Sequence, residues 1–215
     1  SATTIKGGAG ADNISLYGAN DAVIDTASGD SVFGGTGADK LLFTGSVLNS
    51  SIQAGSGDDS IVIAGSGSGS TGNTIDLGVG TDTVKFTEIS TADTVTVTST
   101  TVTGAKYVTY EKAATSAVIT TGSGADSIVF KDQVSGDGVI ATNSGNDSIQ
   151  FLKASTFTSA DLGAGADSVY GADNINNAII SAGTGADTFL VSTLSNAVIY
   201  GGDAADSITI SGSLY

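Results

Sequence analysis

The chain has 215 residues, with 22 acidic side chains against seven lysines and no Arg, His, Cys, Met, Trp or Pro, so its formal net charge is −15. This strong negative charge disfavours nucleic acid as a partner, and no run of about 18 apolar residues marks a membrane span. Because His, Cys and Arg are missing, the chain lacks the usual pairs of nucleophile and base and any imidazole metal site. We therefore expect no enzymatic activity within this chain.

A five-residue motif, Gly-x-Gly-x-Asp, recurs along the chain, and each copy is followed by a short β-prone stretch. The motif ends at Asp12, Asp39, Asp59, Asp82, Asp126, Asp167 and Asp187. Weaker forms of the same turn end at Asp21, Asp30, Asp147 and Asp206. The motif supplies glycines for tight backbone conformations and one carboxylate for each turn.

The turns recur at two spacings. They lie nine residues apart from Asp12 to Asp39, and 19 to 24 residues apart from Asp39 to Asp206 once Lys106 is counted as a turn position. The alignment of residues 102–110 with residues 122–130 places Lys106 where the other repeats carry aspartate. A fixed period near 20 residues is typical of a solenoid, in which each coil stacks only on its neighbours.

Apolar residues stand at three fixed distances from the turn positions. Two residues after the turn position they are Ile14, Val23, Val32, Leu41, Ile61, Val84, Val108, Ile128, Ile149, Val169, Phe189 and Ile208. Four residues after it they are Phe43, Ile63, Phe86, Tyr110, Phe130, Phe151, Val191 and Ile210, with Gly171 as the exception. Seven residues before it they are Ile52, Ile75, Ile119, Ile140, Ile180 and Ile199, with Ala160 as a small member. Since alternate residues of a strand share a face, we expect three ladders along one thin core.

These patterns predict an all-β fold, a single parallel β-solenoid domain over residues 1–215 with about ten coils of roughly 18–24 residues. Residues 7–43 would form tight nonapeptide repeats and residues 44–215 longer coils, with a degenerate coil near residues 90–112. Asn49, Asn177 and Asn196 all lie ten residues before a turn aspartate, where Asn suits the left-handed conformation of a corner. We expect these asparagines to be structural.

The tight repeats Gly7-Gly-Ala-Gly-Ala-Asp-Asn-Ile-Ser15 and Gly34-Gly-Thr-Gly-Ala-Asp-Lys-Leu-Leu42 resemble the nonapeptide of the repeats-in-toxin (RTX) calcium-binding β-roll. The whole chain is most similar to RTX-type bacterial surface-layer proteins. The resemblance implies calcium ions between consecutive turns on the same side, held by aspartate carboxylates and loop carbonyls. Calcium takes six to eight oxygen ligands in a loose geometry, which such turns supply.

Carried onto this chain position by position, the resemblance implies carboxylate ligands from Asp12, Asp21, Asp30, Asp39, Asp59, Asp82, Asp126, Asp147, Asp167, Asp187 and Asp206. It implies carbonyl ligands from Gly8, Gly10, Gly35, Gly37, Gly55, Gly57, Gly78, Gly80, Gly122, Gly124, Gly145, Gly163, Gly165, Gly183 and Gly185. One ion for each adjacent pair on the same side, such as Asp12 with Asp30 or Asp21 with Asp39, gives at most about eight calcium ions.

The acidic residues themselves favour bound cations over a metal-free solenoid with sharp Gly and Asp corners, which is the alternative. All but two of the 22 acidic residues are Asp, and 11 of them occupy turn positions, whereas a solvating surface would use Glu as readily. Stacked carboxylates about 5 Å apart repel each other unless something neutralises them. For Lys106 two alternatives remain open: its ammonium replaces a missing ion, or it points to solvent.

The functional expectation is a calcium-binding structural protein of the cell surface, a subunit of an S-layer, sheath or filament that folds and assembles on binding calcium. It would be extracellular and exported by a type I machine, as the RTX resemblance implies. Because the first turn begins at Gly7 and the last strand ends five residues before the end of this sequence, we expect open solenoid ends that self-associate. A cell-surface polysaccharide is a second expected partner. The alternative is an RTX calcium-folded module of a larger secreted toxin, exoenzyme or adhesin.

Overall fold

A computed structural model describes residues 3–6, 13–15, 21–25, 28–45, 47–64, 70–88, 90–91, 93–96 and 104–214. These residues form strands, turns and corners, with no helix among them. In chain order the strands are β1 (Thr3–Lys6), β2 (Asn13–Ser15), β3 (Asp21–Asp25), β4 (Ser31–Thr36), β5 (Lys40–Phe43), β6 (Val47–Leu48), β7 (Ser51–Ser56), β8 (Ser60–Ile63), β9 (Ser70–Thr71), β10 (Thr74–Asp76), β11 (Asp82–Phe86), β12 (Ser90–Thr91), β13 (Thr94–Thr96), β14 (Lys106–Tyr110), β15 (Ala114–Thr115), β16 (Val118–Thr120), β17 (Ser127–Phe130), β18 (Val134–Ser135), β19 (Val139–Ala141), β20 (Ser148–Phe151), β21 (Ser155–Thr156), β22 (Ser159–Asp161), β23 (Ser168–Asn176), β24 (Ile179–Ser181), β25 (Thr188–Ser195), β26 (Val198–Tyr200) and β27 (Ser207–Ile210).

The strands form two parallel sheets, and each coil of the chain passes through both. The first sheet has 17 strands in two rows, one containing β5, β8 and β11 and the other β6, β9 and β12, and the long strands β23 and β25 enter both rows. The second sheet has ten strands in the order β2, β4, β7, β10, β13, β16, β19, β22, β24, β26. Eight full coils therefore run from β5 to β26 in the described part of the chain, after two short coils with one described strand in each sheet. The predicted β-solenoid is confirmed, and its coils number ten when the short ones are included.

The core lies between the two sheets and consists of the expected ladders. In the first sheet Leu41, Ile61, Val84 and Val108 pair in one register, and Ile128, Ile149, Val169, Phe189 and Ile208 continue it. The second ladder stacks the buried rings of Phe86, Tyr110, Phe130 and Phe151 with centroids 4.5–5.3 Å apart. The isoleucines of the second sheet pair likewise, and Val95 and Ala160 lie in their column.

Gly171, the exception in the aromatic ladder, leaves a space that a neighbouring side chain fills. A Cβ atom on Gly171 would lie 2.9 Å from Cδ1 of Ile175 and 3.1 Å from Cγ1 of Val191. Both of these residues are buried. Close packing is therefore maintained across the missing ring.

The predicted register is wrong at one place near the start of the chain. Strand β3 pairs with β5 so that Asp21 lies opposite Lys40 and Ala22 lies opposite Leu41, whereas the spacing predicted Asp21 opposite Asp39 and Val23 opposite Leu41. The coil from β3 to β5 takes 19 residues, while the coil from β2 to β4 takes 18, because Asn13 lies opposite Ser31. One residue is therefore absorbed between the two sheets, and Asp21 and Asp39 do not form an adjacent pair.

The asparagines of the far corner, the corner that leads into each strand of the second sheet, adopt the predicted left-handed conformation. Asn49, Asn177 and Asn196 have φ angles of 50°, 52° and 49°. Asn196 Nδ2 donates a hydrogen bond to Asn177 Oδ1 at 2.6 Å. Ser116 has a similar φ of 51° at the same corner. These positions shape the corner, as expected.

The hydroxyl of Tyr110 is buried in the aromatic ladder and has no hydrogen-bond partner. Burial raises the pKa of this hydroxyl, so it stays neutral. Tyr110→Phe removes an unsatisfied polar group, and we expect the free energy of unfolding to rise by about 1 kcal/mol. Tyr107→Phe, on the outer face with 44% of the residue exposed, should change it by less than about 0.5 kcal/mol. Denaturant unfolding of the two variants checks this, and a loss of stability in Tyr110→Phe would contradict it.

Candidate metal centre

The turns that lead from the second sheet into the first are built on glycines that stack backbone on backbone. Gly163 and Gly165, four and two residues before Asp167, have φ angles of 90° and 147°, which L side chains rarely adopt. A Cβ atom on Gly165 would collide with the carbonyl oxygen of Gly145 in the preceding coil, and the glycine pairs at Gly57 and Gly80 and at Gly185 and Gly165 show the same contact. The carbonyl groups of one turn therefore point along the stack towards the next turn.

The turn aspartates form a buried column along the stack. Asp39, Asp59, Asp82, Asp126, Asp147, Asp167 and Asp187 are each at most 3% exposed. In six pairs, Oδ1 of one aspartate accepts a hydrogen bond from the backbone N–H of the turn aspartate one coil earlier, at 2.7–3.1 Å. The pairs are Asp59 with Asp39, Asp82 with Asp59, Asp147 with Asp126, Asp167 with Asp147, Asp187 with Asp167 and Asp206 with Asp187. One carboxylate oxygen of each accepting aspartate thus joins consecutive coils.

The second carboxylate oxygen of these aspartates, Oδ2, does not take part in these hydrogen bonds between coils. Oδ2 is buried and accepts no hydrogen bond at Asp59, Asp126, Asp147, Asp167 and Asp187. Burial, followed by the charges of neighbouring aspartates, raises the pKa of Asp59 to about 6, of Asp147 to about 7 and of Asp167 to about 6. A buried charged oxygen without a donor or a cation is costly, so the column requires protons or cations.

Lys106 occupies the column at the one described step where the repeat carries no aspartate. The side chain is fully buried, and its Nζ lies 2.5 Å from Oδ2 of Asp82 and 2.5 Å from the carbonyl oxygen of Gly80. The carbonyl oxygen of Gly78 lies 3.2 Å from the same Nζ. Of the two alternatives for Lys106, the structure therefore supports the buried ammonium and excludes the solvent-exposed one.

The contacts of Lys106 provide a test of whether the turns fit a cation. Its partners are one carboxylate Oδ2 and the carbonyls two and four residues before that carboxylate, which are three of the positions that the sequence predicted as ligands. The other described turns present the same three kinds of oxygen. The described residues contain no group of three or more His, Cys, Asp or Glu side chains that could hold a metal ion by themselves. Backbone carbonyls must therefore supply most ligands of any cation bound here.

Two predicted carboxylate ligands near the start of the chain, Asp21 and Asp30, do not join this column. Gly8, Gly10 and Asp12 lie outside the described residues. Asp21 is out of register with Asp39. Asp30 lies at the far corner, where its N–H donates to Oγ of Ser50 at 3.2 Å.

Asp30 begins a second polar column, which the sequence analysis missed. The Ser50 N–H donates to Oδ1 of Asn73 at 2.8 Å, and the Asn73 N–H donates to Oδ1 of Asp93 at 2.9 Å. The Ser90 hydroxyl donates to Oδ2 of Asp93 at 2.7 Å. Because donors satisfy both oxygens of Asp93, this column needs no cation. One sequence pattern could have indicated this column: a polar residue stands directly before the second-sheet strand in four successive coils.

The chain matches no protein-family model, no curated protein and no solved structure. The resemblance to the RTX family therefore stays a prediction from the repeat motif. Within the residues that the structure describes, no helix is long and apolar enough to cross a membrane.

The raised pKa values predict how the metal-free chain responds to pH. Aspartate in an unfolded chain has a pKa near 3.9, whereas folding raises the pKa to about 6 for Asp59 and Asp167 and about 7 for Asp147. The folded state therefore binds protons more tightly, and its stability is fully present below pH about 4 and is lost as the pH rises towards about 7. In calcium-depleted buffer we expect the thermal midpoint to fall between pH 5 and pH 8. Asp147→Asn, neutral at every pH, should reduce this slope, and a stability that rises with pH would contradict the prediction.

Proposed function

We propose that this protein is a calcium-binding structural protein whose ions lie between consecutive aspartate turns. The observation that carries the proposal is the buried ammonium of Lys106, held by Asp82 Oδ2 and the carbonyls of Gly78 and Gly80. At Asp59, Asp126, Asp147, Asp167 and Asp187 the buried Oδ2 atoms accept no hydrogen bond, and each of these aspartates also follows backbone carbonyls two and four residues earlier in its turn. A free cation supplies at those turns the positive charge that Lys106 supplies at its own.

The chemistry of these oxygens favours calcium. Carboxylates and backbone carbonyls are hard ligands, and the described turns offer no sulfur or imidazole that would suit zinc or copper. Several protein oxygens in a loose arrangement suit calcium better than magnesium, which demands a tight octahedron and retains water. Bound divalent ions would also reduce the self-repulsion of a chain with a net charge of −15.

The geometry also limits the number of ions. Six adjacent pairs of turn aspartates are joined by the Oδ1 hydrogen bond, from Asp39 with Asp59 to Asp187 with Asp206. Lys106 interrupts the column between Asp82 and Asp126. The residues that would hold calcium are the paired aspartates, together with the carbonyls two and four residues before each. Because only these six pairs are joined, we propose at most six ions for the described residues.

Calcium binding of this kind links folding to export. Extracellular calcium near millimolar levels would neutralise the column, whereas the cytosol would leave it charged. We propose that the protein is secreted, acts at the cell surface and has a structural rather than a catalytic role, in an S-layer, sheath or filament. The alternative, a calcium-folded module of a larger secreted toxin, exoenzyme or adhesin, shares the same site. A cell-surface polysaccharide remains a proposed partner.

A calcium titration followed by circular dichroism tests the proposal. At pH about 7 or above, where the column is charged, we expect a largely disordered chain in chelator and a β-rich one at about 0.1–1 mM calcium. Asp167→Asn keeps an Oδ1 acceptor for the Asp147 N–H but removes a charge from two ion sites, so its calcium midpoint should rise about tenfold, or ~1.4 kcal/mol. Asp173→Asn, at an exposed position, makes the same charge change and should leave the midpoint unchanged. Equal β content with and without chelator would refute calcium-dependent folding.

Self-association is proposed to use the strand edge of the last described coil. Among the described strands, β26 pairs only with β24 and β27 only with β25, and Ile208 and Leu214 are 46% and 68% exposed. Open strand edges beside exposed core residues pair readily with further coils, from the same chain or from another copy.

We expect the purified chain in millimolar calcium to form filaments or sheets in negative-stain electron microscopy and to dissociate in chelator. Ile208→Lys places a charge at the end of the core ladder and should block assembly, because a buried charge is costly. Thr209→Lys, on the adjacent outer-facing residue, should still assemble. A monomer of constant mass over a roughly hundredfold concentration range would reject self-association through this end and favour the module.

A further inference from the structure

The coils around Lys106 are joined by contacts that require no bound ion. Lys106 lies in β14, and its backbone N–H still donates to Oδ1 of Asp126 in the next coil at 2.7 Å. Its ammonium reaches back to Asp82 in the preceding coil at 2.5 Å. The N–H of Asp82 donates to the carbonyl of Ala105 at 3.0 Å, which replaces the missing carboxylate acceptor. Hydrogen bonding along the turn column therefore continues through the lysine.

The same three coils are tied together at two other places. In the core, the Tyr110 ring stacks on Phe86 in the preceding coil and on Phe130 in the next, with centroids 4.5 Å and 5.0 Å apart. On the outer surface, Oε1 of Glu111 lies 2.9 Å from the Nζ atoms of both Lys85 and Lys131. Exposed ion pairs contribute little individually, but this bridge favours one register of β11, β14 and β17.

We propose that Lys106 is a covalently attached replacement for a calcium ion, which closes the step between β11 and β14 to metal and makes the two steps that join β11, β14 and β17 a calcium-independent centre of the stack. The inference rests on the proposed calcium sites for its comparison with the other turns. Its own evidence is the position of the ammonium, which occupies the oxygens of Gly78, Gly80 and Asp82 that a cation would bind. A long stem makes Lys the side chain that can deliver a point charge to this depth.

The first test counts calcium ions bound per chain, by equilibrium dialysis with elemental analysis, in the parent chain, Lys106→Asp and Lys153→Asp. Lys106→Asp removes the ammonium and restores a carboxylate, so we expect at least one additional ion. Lys153 is exposed in a corner, and Lys153→Asp makes the same charge change with no expected gain.

The outcomes separate this inference from the proposed function. An equal, non-zero count in all three chains overturns the role of Lys106 and leaves the calcium proposal standing. A parent chain without calcium beside a Lys106→Asp chain that binds it overturns the proposed function and supports this inference. No calcium in any of the three overturns both.

A second test does not depend on Lys106→Asp folding correctly. Hydrogen exchange at subsaturating calcium should be slower in β11, β14 and β17 than in β23 and β25 of the parent chain, by about tenfold or more. Lys106→Met keeps a long apolar stem but removes the charge, so it should abolish this difference. Lys153→Met should retain it. Identical exchange in the parent chain and Lys106→Met would overturn the calcium-independent centre.

Discussion

The structure depends on a column of like-charged carboxylates that the fold removes from water. Each described coil from β5 onwards adds one aspartate to the column, except the coil of Lys106, and the hydrogen bond from the neighbouring N–H uses only one of the two carboxylate oxygens. The remaining oxygen is buried without a donor at Asp59, Asp126, Asp147, Asp167 and Asp187. The parallel stack places these charges one strand spacing apart, so the conformation that satisfies the backbone also maximises the repulsion.

The far corner shows how the same chain builds a polar column whose side-chain oxygens find donors within the protein. Asn73 accepts the Ser50 N–H through Oδ1, as a turn aspartate does, but its Nδ2 also donates to the Val47 carbonyl at 2.8 Å and to Ser70 Oγ at 2.9 Å. An amide thus satisfies both halves of its side chain within the protein. Asparagine at the turns would join the coils equally well, and the chain uses aspartate there instead. The choice of carboxylate is therefore evidence for a function beyond shape.

The sequence predicted the regular parts of the fold because two periods act together. Period two within a strand and a period near 20 between coils determine which residues face inward and which residues stack, and the ladders through Leu41, Phe86 and Ile52 follow directly. The register at Asp21 could not be predicted from these periods, since a nonapeptide spacing does not show where a coil contains one extra residue. The column from Asp30 to Asp93 could not be recognised as a repeat in the sequence, because Ser, Asn and Asp side chains all accept the same backbone N–H bond at this position. Lys106 was ambiguous because its stem is long enough to reach either the column or solvent.

The two kinds of cation proposed for the turn column differ in what controls them. A free ion comes from solution, so a coil that depends on it is stable only where calcium is plentiful, and its stability follows the logarithm of the calcium concentration. A lysine is present from synthesis onwards and brings one charge rather than two, at the entropic cost of fixing its stem. The single charge of Lys106 balances the single charge of Asp82, whose Oδ2 it contacts. On the proposed assignment, one tethered cation lies among turns that would take their cations from solution, so the coils joined through Lys106 would form first. The coils on either side would then add to an existing edge, which avoids the unfavourable first step of a solenoid with few local contacts.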